Sequence, residues 1–368
     1  MAEPYVGSDF PKTEEVEGLW VWDKFHAPRP ITPLADDLIW ITLGEGFTKG
    51  QDRFACPLGM DCRSINYYTY ASFVLMPEMT TDQVGARMKR YQENLNGLVP
   101  RVGVLWENEW LPSIKPEIIR TRDLDYEALS DRQLIAELDR QREGMVQRWS
   151  IHGSINFILI AASAFRDFYR DELKPEDENE GYEALAGFDT RSLAGSRGLW
   201  KLSRTIKNSP ALVKLFEELE PKDLPAALDK TPEGRALMKD LRTYLDEFGW
   251  RGDAVYDIAD VTWREEPSIP LNTLQGFIRL GDEGDPDIIF NQAVAKRERL
   301  LADARQKLAS EPDNLAKFNE LYEAARRYIV VTEDHAYWID SMSIAAIRRL
   351  ALACGRRLVQ KGSLDKPD

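Results

Sequence analysis

The chain has 368 residues, with 62 acidic and 48 basic groups, a formal charge of −14, a pI near 4.9, and only 3 cysteines and 3 histidines. Such a length holds about two or three lobes, and the acidic balance argues against a broad nucleic-acid surface, which needs clustered Lys and Arg. Three cysteines cannot build a disulfide framework, and Cys56 and Cys62 have no second Cys/His pair nearby to complete a zinc tetrahedron, so reduced structural thiols are expected and no metal ligand set is assigned.

Met1 to Lys12 contain no apolar run of signal-peptide length, and the longest apolar stretch, around Phe157 to Phe165, is about half of the roughly 20 residues of a membrane span, which predicts a cytoplasmic protein. Residues 1–80 read as an extended segment with one strand, where Ile65 to Val74 alternate aromatic and β-branched side chains. Residues 81–368 read as a helical body. Thr81-Asp82 cap a helix over Gln83 to Leu95, and Ser130-Asp131 cap a long buried helix through Tyr169. An acidic loop at Pro175 to Glu180 precedes helices near Thr190 to Ile206, Pro210 to Glu218, Leu224 to Leu228 and Pro232 to Phe248. A loop follows from Gly249 to about Pro270, then helices over Asp287 to Ser310, Asn314 to Tyr328 and Thr332 to Lys361. The expected class is mostly α with a small β element near the N-terminus.

Standard catalytic signatures are missing. There is no GxxxxGK[ST], HExxH, GxSxG or CxxC, and Gly44-Glu45-Gly46 lacks the third glycine of a dinucleotide fingerprint. Four segments nevertheless concentrate polar and aromatic groups. Trp20 to Leu34 contains His26 and three closely spaced prolines that fix an extended backbone, as a wall beside a site or as an arm over helices. His152 interrupts an apolar helix, where an imidazole needs either a core partner or a substrate. Trp250, Arg251, Asp253 and Tyr256 lie in a glycine-flanked loop that offers a guanidinium to an anion or simply caps a helix. Glu333, Asp334, His335, Tyr337, Trp338 and Asp340 open the last helix, with Glu333, Tyr337 and Asp340 sharing a face and His335 to one side. A helix N-cap explains Glu333 and Asp334 but neither His335 nor Asp340.

At these segments the chain resembles the central helical substrate domain of phosphoenolpyruvate-synthase-like phosphotransferases, the group of rifampicin phosphotransferase and phenylphosphate-synthase-type enzymes. The landmarks run in family order from His26 to Leu34, through the Asn66 to Ser72 strand, Trp106 with Leu111-Pro112, Asp123 to Leu134, His152, and the Arg251 loop with Trp263-Arg264-Glu265 and Pro267, to Glu333 to Asp340 and Gly355 to Leu358. The resemblance implies that an ATP-grasp domain charges a swivelling histidine domain, which delivers the phosphoryl group to a substrate held by the helical domain. No ATP-grasp segment is recognisable, and the sequence stops at Lys366-Pro367-Asp368, where a histidine domain usually follows. The expectation is therefore a stand-alone substrate subunit that binds no cofactor itself, with ATP and Mg on a partner subunit and the phosphohistidine on another chain.

The implied substrate is a small phenolic hydroxyl compound. His335, or else His152, is the candidate base for its hydroxyl, Asp340 orients the imidazole, and Arg251 steadies the phosphoryl oxygens. Trp250, Asp253, Tyr256, Glu333, Tyr337, Trp338, His152 and His26 are candidate substrate contacts. The alternative is a non-catalytic helical scaffold or regulatory subunit derived from the same family.

Overall fold

The computed structural model describes residues 18–76, 79–98, 101–156, 159–252 and 256–367. Among them the chain forms β1 (Val21–Trp22), α1 (Ile41–Arg53), β2 (Leu58–Ile65), β3 (Tyr68–Leu75), α2 (Thr81–Leu98), α3 (Leu111–Asp123) and α4 (Asp131–Asn156). It continues with α5 (Leu159–Leu173), α6 (Arg191–Lys207), α7 (Pro210–Glu218), α8 (Leu224–Leu228), α9 (Pro232–Phe248), α10 (Ser268–Leu280), α11 (Pro286–Lys307), α12 (Pro312–His335) and α13 (Ser343–Gln360). The class is mostly α with one small three-stranded sheet, as the sequence indicates. No helix among the described residues is long and apolar enough to cross a membrane.

Two compact units divide the chain. One comprises residues 1–158, 252–260 and 335–368, and the other 159–251 and 261–334.

In the first unit the sheet order is β1-β3-β2, all antiparallel, with Ile65 opposite Tyr68 and Leu58 opposite Leu75. Asn66 and Tyr67 form the hairpin turn, at φ 50° and 63°, the positive pair that a two-residue turn needs to match strand twist. The sequence reading of one strand over Ile65 to Val74 thus runs through a turn. A tyrosine at a positive-φ position conceals it, and a two-residue turn leaves the alternation unbroken.

Residues 33–53, expected to be extended, are helical. Thr32 is an N-cap whose Oγ1 accepts from Ala35 N at 3.3 Å, and Pro33 occupies the first helical position, where its missing N–H costs nothing. A π-helical stretch, Asp36–Trp40, leads into α1. Thr48 then ties α1 to the sheet: its Oγ1 accepts from Met60 N at 2.9 Å and donates to Met60 O at 3.2 Å.

The contact between α1 and α4 matters most for the site. A Cβ added at Gly46 would overlap Trp149 Cβ, one at Gly50 would overlap the Ser150 carbonyl oxygen, and one at Gly153 would stand 3.0 Å from Phe47 Cα. Three glycines therefore let the two backbones touch. Phe47, Trp149 and His152 are set side by side as a result.

The second unit owes its elements to local capping. Thr190, Ser209 and Thr231 each accept an N–H from three residues on, and proline follows Ser209 and Thr231 directly, which accounts for the close agreement of α6, α7 and α9 with the sequence reading. Leu202, Ile206, Phe216, Leu228, Leu241 and Leu271 belong to its core. Buried Gln275 donates to the Phe216 and Leu219 carbonyls at 2.9 and 2.8 Å, closing the C-terminus of α7.

The stretch expected as helix from Ser130 through Tyr169 is helical in α4 and α5, and its residues 157–158 lie outside the described set. Two further expectations are corrected. Residues 268–280, expected partly as loop, form α10, because Pro270 falls in a first turn where no backbone bond is lost. Glu333 and Asp334 do not open the last helix. They lie in the final turn of α12, which no glycine or proline interrupts, and a π-helical segment, Ala336–Met342, precedes α13.

Candidate functional site

The π-helical segment determines which side chains meet. In an α-helix an advance of five residues rotates a side chain by about 140°, to another face. In a π-helix, bonded i→i+5, residues five apart stand over one another. His335 and Asp340 are so spaced, and both are buried on the first unit, at 5% and 7% exposure. The expectation that Asp340 shares its face with Glu333 and leaves His335 aside is therefore reversed. Glu333, in the second unit, accepts a hydrogen bond from Ser192 Oγ at 2.6 Å.

From α4, His152 completes the cluster. It is 5% exposed, its Nε2 lies 3.8 Å from Asp340 Oδ1, and its ring meets the His335 ring edge to face at 4.7 Å. One potential ligand atom from each of His152, His335 and Asp340 lies within 4.8 Å of the others. Trp149 packs edge-on against His152 at 5.3 Å and Phe47 lies at 6.1 Å, so aromatic carbon walls the cluster.

Beside Trp149 stands Tyr256, almost fully buried, with its ring 5.4 Å from the indole and stacked on His26 at 4.5 Å. His26 Nδ1 in turn lies 2.8 Å from Asp23 Oδ2. The backbone that follows Tyr256 is anchored at several points. Asp257 Oδ1 accepts from Thr32 Oγ1 at 3.0 Å, Arg29 pairs with Asp260, and the buried Arg348 donates to the Ile258 and Ala259 carbonyls at 2.7 and 3.1 Å.

Burial governs the electrostatics. Asp340 loses hydration that favours its charged form, and although the charge of His26 opposes this, its pKa rises to about 7. The same desolvation, reinforced by His335 and His26, pushes the His152 pKa well below that of an ordinary imidazole, so His152 is neutral at physiological pH. Tyr256 is held protonated by burial and by the nearby carboxylates. Asp23 is also desolvated, but its hydrogen bond and attraction to His26 outweigh that and leave its pKa lowered. The lowered pKa of His152 makes it a poor proton acceptor, whereas the Asp340 carboxyl group, which titrates near neutrality, can take up or hand on a proton.

Tyr337 and Trp338 form an edge-to-face pair at 5.1 Å, with the Lys115 ammonium 4.9 Å from the Trp338 ring. In the second unit the Arg251 guanidinium lies over the Trp263 ring at 4.9 Å, while Trp250 Nε1 donates to Asp246 O at 2.9 Å. Gly249 has an ordinary negative φ and is required by proximity, since a Cβ there would stand 2.6 Å from Leu245 O. Asp253 lies outside the described residues. The structure thus gathers His152, His335 and Asp340, with Tyr256 and His26 next to them. Sequence reasoning passed over Asp23, Trp149, Asp257 and Arg348; an Asp three residues before His26 was the one available signal.

The first unit is thus a mostly helical body around a buried cluster of two imidazoles and a carboxyl group. Residues 150–333 match the model of the rifampicin phosphotransferase fourth domain, and the chain belongs to this phosphoenolpyruvate-synthase-like phosphotransferase family. It is 28% identical over 348 residues to chondramide synthase cmdD of Chondromyces crocatus, a match covering 94% of this chain and 9% of the synthase. It is 29% identical over 212 residues to the uncharacterized phosphotransferase YvkC of Bacillus subtilis, covering 57% of this chain and 25% of YvkC. Over 90 residues it is 30% identical to the prodigiosin synthesizing transferase PigC of Serratia marcescens, covering 24% of this chain and 10% of PigC. The chain thus spans a quarter or less of each of these relatives.

Proposed function

We propose that this chain is the substrate-binding component of an ATP-dependent phosphotransferase, presenting a small phenolic hydroxyl compound to a phosphohistidine domain carried on another chain. ATP and Mg belong, in this reading, to an ATP-grasp partner. The observation that carries it is the buried His152–His335–Asp340 cluster in a member of a phosphotransferase family. Transfer to an alcohol requires the hydroxyl proton to leave as the phosphorus–oxygen bond forms, and an imidazole nitrogen within reach of the hydroxyl can accept it. His335 is the proposed acceptor of that proton, and Asp340 is proposed to orient its imidazole. Arg251 is proposed to steady phosphoryl oxygens through its planar donors.

The phenolic substrate class agrees with the aromatic wall of Phe47, Trp149 and Tyr256. The test is reconstitution with an ATP-grasp protein and a phosphohistidine protein, ATP and Mg, against a panel of phenols and aliphatic alcohols, with phosphorus NMR reading ester formation. Phenyl phosphate esters that form only when this chain is present are expected. No ester from any phenol, with the histidine domain demonstrably phosphorylated, would refute the proposal.

A further inference from the structure

We infer that His152, His335 and Asp340 form a binding site for a divalent first-row transition ion of the zinc class. The three side chains come from two separate stretches of the first unit, are 5%, 5% and 7% exposed, and converge with one ligand atom each inside 4.8 Å. The 3.8 Å between His152 Nε2 and Asp340 Oδ1 is too long for a direct hydrogen bond, and that oxygen accepts none among the described residues. Asp340 has no ion pair with lysine or arginine among those residues. A buried carboxylate normally has a cation or a set of donors to offset its lost hydration. A metal ion between the three groups supplies that charge.

The donor set selects the ion. Two imidazole nitrogens and one carboxylate oxygen suit Zn²⁺ or Fe²⁺ and leave coordination positions open, whereas Mg²⁺ and Ca²⁺ favour oxygen alone. Ligand atoms around a tetrahedral zinc stand roughly 3.3 Å apart for bonds near 2.0 Å. Closure on the ion draws the widest pair inward by at most about 1.5 Å. The rings of Phe47 and Trp149 keep the surroundings apolar, which strengthens coordination relative to water.

The inference deepens the proposed function at the same site and rests on that reading for its consequence alone. When bound, such an ion would lower the pKa of an acceptor hydroxyl placed at an open position, with His335 then serving as a ligand in place of the proton acceptor proposed above.

The experiment uses the full chain freed of metal by a chelator, without ATP, partner or acceptor. Calorimetric titration with ZnCl₂ is expected to show one ion per chain, and Asp340→Asn and His152→Gln each to weaken binding by more than about 100-fold. Circular dichroism establishes that each variant is folded. Should a variant not fold, the wild-type protein loaded with Co²⁺ decides the matter: visible ligand-field bands of a nitrogen-ligated site are expected. Absence of saturable zinc binding, affinity unchanged by both substitutions, or cobalt bands of the hydrated ion would overturn the inference. Because no turnover is read, a failure here leaves the phosphotransfer proposal standing, and failure of turnover leaves a measured zinc site standing.

Discussion

His152 and Asp340 face each other across 3.8 Å in a setting from which both are almost wholly hidden from water. One comes from α4 and the other from the π-helical segment before α13. Their meeting joins the only part of the first unit where two imidazoles and a carboxyl group share one apolar enclosure among the described residues.

Asp340 makes stability fall as pH rises. Its pKa is near 7 in the folded chain and about 3.9 when unfolded, so below about pH 4 both states are protonated and it contributes nothing. Between those values the native state retains a proton the unfolded state has lost, and the penalty grows until about pH 7, to on the order of a few kcal/mol. Asp340→Asn, in chelator-treated protein, is expected to raise Tm at pH 8 and to change it little near pH 4. Equal shifts at both pH values would contradict the buried carboxyl group.

His335→Ala is expected to lower turnover in the reconstituted system by about 10² to 10⁴, the usual worth of a positioned acid or base, with the fold retained. His335→Gln keeps polar reach but takes no proton, and should fall as far. Wild-type rates for both, with a collapse in His152→Ala, would transfer the role to His152.

Arg251→Lys should reduce kcat more than it raises KM, because an ammonium group cannot reproduce the planar fork that also lies over the Trp263 ring. Steady-state kinetics with the reconstituted partners measure the split. An unchanged kcat would leave Arg251 as a packing residue of its loop.

Gly50→Ala forces a Cβ onto the Ser150 carbonyl oxygen and is expected to destabilise the protein by about 1 to 3 kcal/mol or more as α1 and α4 separate. Gly85→Ala, on α2 with nothing within 4 Å of the added carbon, should instead stabilise by up to about 1 kcal/mol through helix propensity. Thermal melts of the two variants decide between a glycine kept for close approach and one merely tolerated. If Gly50→Ala melts with the wild type, the backbone contact between α1 and α4 is not tight.

What the sequence by itself determined is whatever is written locally. Ser209-Pro210 and Thr231-Pro232 start helices because the cap side chain and the proline act within one turn, and the mostly α class follows from many such signals. His152, His335 and Asp340 also stand out in the sequence, each as a polar group that its helix does not require. The tertiary structure decided which of them meet. An α-helical reading groups Asp340 with Glu333, whereas the buried run Tyr337 to Asp340 is accommodated by a widened turn that brings Asp340 round to His335. That wider register is stabilised by packing on all sides of the segment, not by the propensities of its residues. The approach of His152 likewise depends on Gly46, Gly50 and Gly153 meeting across two helices, a complementarity of surfaces that no single stretch of sequence contains.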